Sequence, residues 1–246
     1  MVDIPQVRTW MVNACSLGVL TGAGISTDSG IPDYRGPQGV WTKDPEAEKM
    51  ATLSNYLEDP AVRKRSWRTR ATSPVWLAQP NAGHRALAAL NAPIVTQNVD
   101  GLHQLAGTDP SLVIEIHGSM RETTCWSCGD RRPMAEAIER VQAGDEDPSC
   151  RMCGGILKSS TISFGQNLDP LVLQRAQKVA DGADVFLAAG TSLTVQPAAS
   201  LVARAKRKGA ILIIANAEPT PYDTIADAVL HQPLSELLPE LLRREC

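Results

Sequence analysis

The feature that most constrains the fold is a short apolar run that ends in a glycine-rich turn. Residues Leu17–Leu20 are followed at once by Thr21-Gly22-Ala23-Gly24. A buried parallel strand that ends in such a turn and opens a helix is typical of dinucleotide-binding folds, where backbone N–H groups face a phosphate. The full G-x-G-x-x-G pattern is not met, because Thr27 stands at the place of its third glycine. A glycine-rich tight turn without a ligand therefore remains an alternative for this stretch taken alone.

The residues after the turn make the signal more specific. Ile31-Pro32 is followed by Asp33, Tyr34 and Arg35, which place an acidic, an aromatic and a cationic side chain on one loop. A loop that only connects two elements does not need this combination. The run G-A-G-I-S-T-D-S-G-I-P-D-Y-R resembles the signature of the sirtuin family of NAD-dependent protein lysine deacylases, with Tyr34 at the usual phenylalanine position.

The resemblance implies an α/β fold, in which a Rossmann-like parallel sheet domain carries a smaller inserted zinc-binding and helical domain. Residues 1–42, 76–120 and 159–246 would form the NAD-binding domain. Residues 43–75 and 121–158 would form the small domain, as a helical insert and a zinc-knuckle module. The charged, proline-punctuated stretch 43–75 reads as two short helices. The expected co-substrate is NAD, and the expected partner is an acylated lysine in a protein.

Composition limits the other partners. The chain has 246 residues, of which 43% are hydrophobic and 21% charged, with a formal net charge of −3. This balance describes one enzyme-sized unit with no bias toward polyanions, so we expect no direct nucleic-acid ligand. No apolar run has the roughly 18 residues of a membrane span, and no leader pattern opens the chain, so we expect a cytoplasmic protein that does not bind membranes. We also expect a monomer.

Polar side chains follow the next two expected strands. Pro93–Gln97 reads as a buried strand and leads into Asn98 and Asp100, and Leu112–Ile116 leads into His117. Ligands of open α/β sheets bind at the carboxyl ends of the strands. Gln97, Asn98 and Asp100 are suited to read a carboxamide and ribose hydroxyls, although a plain N-capped turn would also explain them.

A histidine at a strand end is suited to general base catalysis, because an unperturbed imidazole titrates near neutral pH. Of the four histidines, His117 is the predicted base. His103 is interpreted as a supporting residue, and His84 as a satisfied core residue on a helix that Asn81 caps. The family's catalytic base matches His117 in the motif H-G, and its nicotinamide-pocket residues match Asn98 and Asp100 in Q-N-x-D.

The second half of the chain repeats the pattern of a strand that ends in small or polar residues. Ala183–Ala189 leads into Gly190-Thr191-Ser192, and Ile211–Ala215 leads into Asn216-Ala217-Glu218. By resemblance, these two segments contact the phosphate and ribose side of NAD. The expected cofactor-binding residues are Gly22, Ala23, Gly24, Ser26, Thr27, Asp33, Tyr34, Arg35, Gln97, Asn98, Asp100, Gly190, Thr191, Ser192, Asn216, Ala217 and Glu218.

Two C-x-x-C pairs predict a metal centre. Cys125 and Cys128 are separated from Cys150 and Cys153 by twenty-one residues, and each pair is followed by a glycine. Two such knuckles complete a tetrahedral shell of four thiolates that suits Zn²⁺. A closed shell leaves no position for water, so we predict a structural zinc. Thiol redox chemistry is the alternative.

The substrate-binding residues are carried over by resemblance. Thr161–Leu168 matches the family's F-G-E-x-L motif, with Gln166 in place of glutamate, and its backbone is expected to pair with an extended peptide. Ile162, Phe164 and Gly165 are the expected contacts there. Family members that prefer succinyl or malonyl groups carry a Tyr-x-x-Arg pair, and Trp67-x-x-Arg70 corresponds to it here, with the arginine present and the tyrosine absent. We therefore expect deacetylation, and keep acidic acyl groups open.

The family's chemistry implies that the acyl oxygen attacks C1′ of the ribose as nicotinamide leaves, and that His117 then removes a proton from the ribose hydroxyls. Asp100 would hold the carboxamide, Asn98 would order the ribose and a water, and Arg35 would face the phosphates. A redox dehydrogenase would explain the nucleotide half of the chain but not the zinc module. An ADP-ribosyltransferase on the same site, and a nucleotide-sensing or zinc-organised module without turnover, remain alternatives.

Overall fold

The computed structural model describes residues 3–33, 39–44 and 46–243. Its strands in chain order are β1 (Leu17–Thr21), β2 (Ile94–Thr96), β3 (Val113–Glu115), β4 (Gly118–Cys125), β5 (Arg131–Pro133), β6 (Leu157–Thr161), β7 (Val185–Ala189), β8 (Ile211–Ala215) and β9 (Ala228–Leu230). Its α-helices are α1 (Ile4–Asn13), α2 (Val40–Lys43), α3 (Glu46–Met50), α4 (Leu53–Glu58), α5 (Pro60–Ala71), α6 (Ala82–Leu90), α7 (Leu102–Leu105), α8 (Met134–Gln142), α9 (Pro170–Gly182), α10 (Ser200–Arg207) and α11 (Leu234–Leu242).

Six strands form the main sheet in the order β3-β2-β1-β7-β8-β9, and all neighbours are parallel. This is the strand order of the Rossmann fold, in which the order reverses between two adjacent strands and leaves a crevice at their carboxyl ends. Here the reversal lies between β1 and β7. The glycine-rich turn after β1 and the turn after β7 therefore face the same crevice.

The sheet is apolar on both faces because helices cover both. On one face, Leu20 and Phe186 pack with residues of α9 and α10. On the other, Val19 and Leu187 pack with residues of α1, α6 and α11. Strands buried on both faces read as continuous apolar runs, which is why the sequence predicted them well.

The zinc module has a sheet of its own, in the antiparallel order β5-β4-β6, with α8 packed against it. Trp67, from α5 of the helical insert, is fully buried in one cluster with Met134, Ala137 and Leu157. The insert and the zinc module thus share a hydrophobic core. The expected fold class, a Rossmann-like sheet with a smaller zinc-binding part, is confirmed.

The helical insert differs from the sequence expectation in its helix count. Two short helices were expected over residues 43–75, whereas α3, α4 and α5 lie there. The extra break follows from Asp59, whose Oδ1 accepts a hydrogen bond from Ala61 N at 2.7 Å and whose neighbour Pro60 is the first residue of α5. A capping aspartate followed by proline starts a new helix.

The basic residues of α5 have acidic partners in the zinc module. Arg63 Nε lies 2.9 Å from Asp147, and Lys64 Nζ lies 3.0 Å from Glu146. Arg65 pairs instead with Asp44 at 2.8 Å. These contacts are ion pairs within the chain, and Arg63 is the most buried of the three basic residues.

Among the described ranges, with their gaps at 34–38 and 45, we find no helix that combines the length and the apolar character needed to cross a membrane.

Candidate active site

The turns after β1 and β7 are packed directly against each other at the switch point. A Cβ on Gly22 would lie 2.7 Å from Gly190 O, and a Cβ on Gly190 would lie 2.4 Å from Ile25 N. Gly190 also has a left-handed φ of 65°. Contacts this short exclude any side chain, so glycine is required at both positions by the packing of the two turns.

The sequence suggested that these glycines present backbone N–H groups to a phosphate, but the structure gives them a different role. Gly22 N donates to Ala189 O at 3.1 Å, and Gly24 N donates to Gly190 O at 2.8 Å. Both N–H groups are therefore engaged within the protein and are not available to a phosphate. Residues Ala23–Ser29 form a 3₁₀-helix rather than an α-helix. Any phosphate contact from this turn has to come from its other groups.

Ser26 connects the first turn to the residues after β2. Its Oγ donates to Asp100 Oδ2 at 2.8 Å and accepts from Asn98 Nδ2 at 3.1 Å. Asn98 Nδ2 also reaches Gly22 O at 3.1 Å, and the other carboxylate oxygen of Asp100 accepts from Leu102 N at 2.9 Å. Asn98 and Asp100 are 7% and 6% exposed, so the network holds two polar side chains in fixed orientations at the wall of the crevice.

His117 lies directly after β3 and is half-buried. Its Nδ1 is 3.1 Å from Gln97 O, and a carbonyl only accepts, so Nδ1 carries the proton. In the neutral ring, Nε2 is then left with its lone pair, which is the form that a general base needs. Burial lowers the pKa of His117, while the bond to Gln97 O acts in the opposite direction. The ring is thus held neutral at pH 7.

Gln97 joins His117 to the switch point. Its backbone carbonyl binds the His117 ring, its N–H donates to Thr21 O at 2.9 Å, and its Nε2 donates to Thr191 Oγ1 at 2.8 Å. Gln97 therefore contacts the predicted base, the last residue of β1 and the turn after β7.

Two further histidines are fully buried behind this wall. His84 Nδ1 accepts from Asn81 N, so its Nε2 carries a proton toward Ser26 Oγ, 3.4 Å away. His103 Nε2 lies 2.9 Å from Thr21 Oγ1. Burial lowers the pKa of His84 to about 4 and that of His103 to about 3. His84 was expected to be a core residue only, and its contact with Ser26 was missed, although Asn81 stands three residues before it at the spacing of a capping box.

The low pKa of His103 predicts a pH dependence of stability. The unfolded chain binds a proton at this residue below about pH 6.5, whereas the folded protein does not until about pH 3. The stabilisation is therefore complete above pH 6.5 and is lost progressively as the pH falls toward 3. We expect His103→Gln to reduce the slope of the unfolding free energy against pH by about 1.4 kcal/mol per pH unit between pH 6.0 and 4.5.

Urea unfolding of both proteins across this pH range checks the prediction. Comparing slopes cancels the carboxylates and the metal centre, which the two proteins share. Equal slopes of the unfolding free energy against pH in the two proteins would mean that His103 is protonated in the folded protein, and would contradict the prediction.

The residues expected on the ribose side lie at the carboxyl ends of β7 and β8. Thr191 is buried, whereas Ser192, Ala217 and Glu218 are exposed. Asn216 Nδ2 donates to Glu218 O at 2.7 Å, which closes the turn after β8. In the loop after β1, Ala23 is half-buried, Thr27 is exposed, and Asp33 O accepts from Val40 N. Tyr34 and Arg35, also expected to contact NAD, lie outside the described residues.

The expected peptide-binding segment is already hydrogen-bonded within the chain. Phe164 N donates to Ala51 O at 2.8 Å and Phe164 O accepts from Leu53 N at 2.9 Å, while Ile162 N donates to His117 O at 2.8 Å. The backbone of Phe164 is therefore paired with the helical insert, and pairing of this segment with a substrate peptide stays a prediction. Phe164 is 38% exposed, and Gly165 follows with a φ of 82°.

Trp67 and Arg70 are placed differently from the acyl-pocket expectation. Trp67 is fully buried in the core shared with the zinc module, so its ring offers no face to a substrate, and we remove it from the substrate-binding set. Arg70 is half-buried, with its Cζ 6.0 Å from the centroid of the Tyr56 ring and 5.8 Å from that of Trp67. Its Nη1 also donates to Ser66 Oγ.

The four cysteines of the two knuckles converge. Their Sγ atoms all lie within 4.8 Å of one another, with Cys125 and Cys153 at 3.5 Å and Cys128 and Cys150 at 3.7 Å. Thiolates bound at about 2.3 Å to one tetrahedral Zn²⁺ are separated by about 3.8 Å, so the arrangement fits the ion. Gly129 and Gly154 have left-handed φ angles of 74° and 71°, which a tight turn after each knuckle requires.

Comparison with known proteins finds relatives that match most of the chain. A model of the Sir2 family matches residues 22–197. NAD-dependent protein deacetylase 2 of Streptomyces coelicolor (strain ATCC BAA-471 / A3(2) / M145) is 52% identical over 232 residues, which cover 92% of this chain and 96% of that protein.

Solved structures are also similar to this chain over nearly its whole length. A Sir2 variant with a deacetylated p53 peptide and 3'-O-acetyl ADP-ribose superposes with a TM-score of 0.89 at 30% identity, covering 98% of each chain. A Sir2 complex with a p53 peptide and NAD superposes with a TM-score of 0.86 at 30% identity, again covering 98% of each chain.

Proposed function

The chain belongs to the Sir2 family, and on that premise we propose that it is an NAD-dependent protein lysine deacetylase. It would transfer the acyl group from lysine to ADP-ribose and release nicotinamide. The observation that carries the proposal is the position of His117, whose Nδ1 is bound to Gln97 O, while Gln97 also bonds the last residue of β1 and the turn after β7. A neutral imidazole held at the nucleotide crevice is the arrangement that this reaction needs.

His117 acts as the base. With Nδ1–H held by Gln97 O, Nε2 accepts a proton from a ribose hydroxyl. The resulting oxygen attacks the acyl carbon, the bond from that carbon to the lysine nitrogen breaks, and water completes the release of free lysine and O-acyl-ADP-ribose. Because the surroundings lower the pKa of His117, the ring is deprotonated and ready at neutral pH. The positive charge that forms on the ring is shared with the Gln97 carbonyl dipole.

Asn98 and Asp100 orient the nicotinamide end of NAD. Ser26 holds both side chains, and their remaining hydrogen-bonding groups read the carboxamide and order the ribose and a water. The glycines of the two turns keep the crevice narrow, and Thr191, Ser192 and Asn216 bind on the phosphate and ribose side. Cys125, Cys128, Cys150 and Cys153 would hold a zinc ion, which would be structural because four thiolates would complete its shell.

For the acyl group, we propose acetyl over succinyl or malonyl. Arg70 is the residue that would read an acidic acyl group, but its guanidinium is stacked near Tyr56 and Trp67 and bonded to Ser66. Freeing it for a carboxylate would break these contacts. Parallel assays with acetyl-lysine and succinyl-lysine peptides of one sequence test this, and faster turnover of the succinyl peptide would overturn it.

The test of the function is nicotinamide release from NAD with and without an acetyl-lysine peptide. We expect release that depends on the peptide and that matches, mole for mole, free lysine and O-acetyl-ADP-ribose. Release without peptide, with label from NAD appearing on protein, would favour an ADP-ribosyltransferase instead. An unacetylated peptide of the same sequence is the control and is expected to give no product.

A further inference from the structure

The strand that leaves the active site toward the zinc module carries an irregularity. β4 pairs with β6 through Gly118 with Thr161 and Ser119 with Ser160, and the next pair is Thr123 with Ser159. Residues 120–122 therefore bulge out of this pairing. Bulges beside active sites turn side chains in new directions and follow from specific local contacts.

The bulge faces the loop that carries Asn98 and Asp100. Met120 N donates to Val99 O at 3.0 Å, and Arg121 Nε donates to Asp100 O at 2.9 Å. Two successive carbonyls of the loop are thus bound by two successive residues of β4. The second bond comes from a cation, and hydrogen bonds with a charged partner are the stronger ones.

Arg121 also fits closely against the next residue of the loop. Gly101 has a φ of 74°, and a Cβ there would lie 3.1 Å from Arg121 Nε and 3.3 Å from its Cγ. The left-handed turn after Asp100 and the arginine stem therefore occupy adjoining space. Displacement of the stem would free the loop to move.

The guanidinium also contacts Trp76, which directly follows the helical insert. Arg121 Cζ lies 5.4 Å from the centroid of the Trp76 ring, and Trp76 Nε1 donates to Arg70 O at 2.6 Å. Arg121 Nη2 is buried, and within the described ranges it has no hydrogen-bond partner. Among the residues that the structure describes, the bond to Asp100 O and the Trp76 ring therefore position the guanidinium, which connects Trp76 with the loop.

We propose that Arg121 is a positioning residue for nicotinamide, which it affects by fixing the backbone of Asp100. The inference rests on the proposed role of Asp100 as the residue that holds the carboxamide. Since Asp100 is fixed by Ser26 through its side chain and by Arg121 through its backbone, loss of the second contact lowers the affinity for the nicotinamide part of NAD. The ADP-ribose part, bound at the ends of β1, β7 and β8, is unaffected.

The test measures nicotinamide binding by calorimetry to full-length protein saturated with ADP-ribose, so that turnover is not needed. We expect Arg121→Met to weaken nicotinamide binding about tenfold and Arg121→Lys about threefold, with ADP-ribose affinity unchanged within twofold. Arg175→Met is the matched control, because Arg175 is an exposed arginine that also donates to a backbone carbonyl, Ser111 O at 3.2 Å. It should leave both affinities unchanged.

Equal losses of nicotinamide and ADP-ribose affinity in Arg121→Met would indicate a merely structural role and overturn the proposal, as would unchanged nicotinamide binding. If Arg121→Met does not fold, the lysine variant decides, and full nicotinamide affinity there would overturn the proposal. Failure of the proposed function looks different, because the wild-type protein would then bind nicotinamide without producing it from NAD and acetyl-lysine peptide.

Discussion

His117→Ala is expected to reduce NAD-dependent deacetylation by about 10²–10⁴-fold, the range that a positioned general base contributes. Alanine removes Nε2 from the crevice while Gln97 keeps its contacts with Thr21 and Thr191, so the fold and the ADP-ribose site should persist. The measurements are kcat for release of free lysine, the zinc content and the affinity for ADP-ribose. Undiminished turnover with intact zinc would refute the assignment of the base.

His231→Ala is a suitable control for the loss of an imidazole. His231 Nδ1 is bound to a backbone carbonyl, Asn216 O at 2.8 Å, as His117 is to Gln97 O, but its ring is exposed. We expect kcat to change by less than about threefold. Because Asn216 is proposed to bind ribose, any effect should appear in KM for NAD. A loss of kcat equal to that of His117→Ala would make His117 no more important than a peripheral histidine.

Cys150→Ser is expected to remove the zinc and unfold the small module. Structural zinc contributes an apparent binding energy on the order of 10 kcal/mol, comparable to the whole stability of a typical domain. Cys150 is 3% exposed and packs in the same cluster as Trp67, so the loss should spread into the helical insert. We expect less than about a tenth of the wild-type zinc content, a red shift of tryptophan emission and no measurable deacetylation.

Cys15→Ser is the matched control for this experiment. Cys15 is a free, exposed cysteine at the end of α1 and is not one of the four converging thiols. Its substitution should leave zinc content, emission and turnover as in the wild-type protein. Full zinc content and activity in Cys150→Ser would contradict a structural four-thiolate centre and favour the alternative of thiol redox chemistry.

The sequence determined the strands and the metal ligands, for a local reason in each case. Ile211–Ala215 was predicted with the bounds that the structure shows, since a strand buried on both faces is a continuous apolar run with turn residues at its ends. The cysteines were readable because a knuckle places both of its ligands within four residues. Asn81 likewise indicated the start of α6, because an asparagine at this position caps the helix.

The tertiary structure decided which atoms are free to act. Gly22 and Gly24 were expected to present N–H groups to a phosphate, but these groups bond Ala189 and Gly190, more than 160 residues away in the chain. Trp67 was assigned to a substrate pocket from its spacing to Arg70, yet it fills a core formed with α8 and β6. Neither the bonds of these glycines nor the packing of Trp67 produces a periodic pattern or a short motif in the sequence.

The same holds for the wall behind the crevice. Ser26, His84 and Arg121 come from three distant segments. Ser26 and Arg121 bond Asp100, His84 contacts Ser26, and only the folding of the whole chain brings these residues together. The sequence by itself specified the types of group at each strand end. Their pairing, protonation and orientation depend on long-range packing and burial, and these exist only in the folded chain.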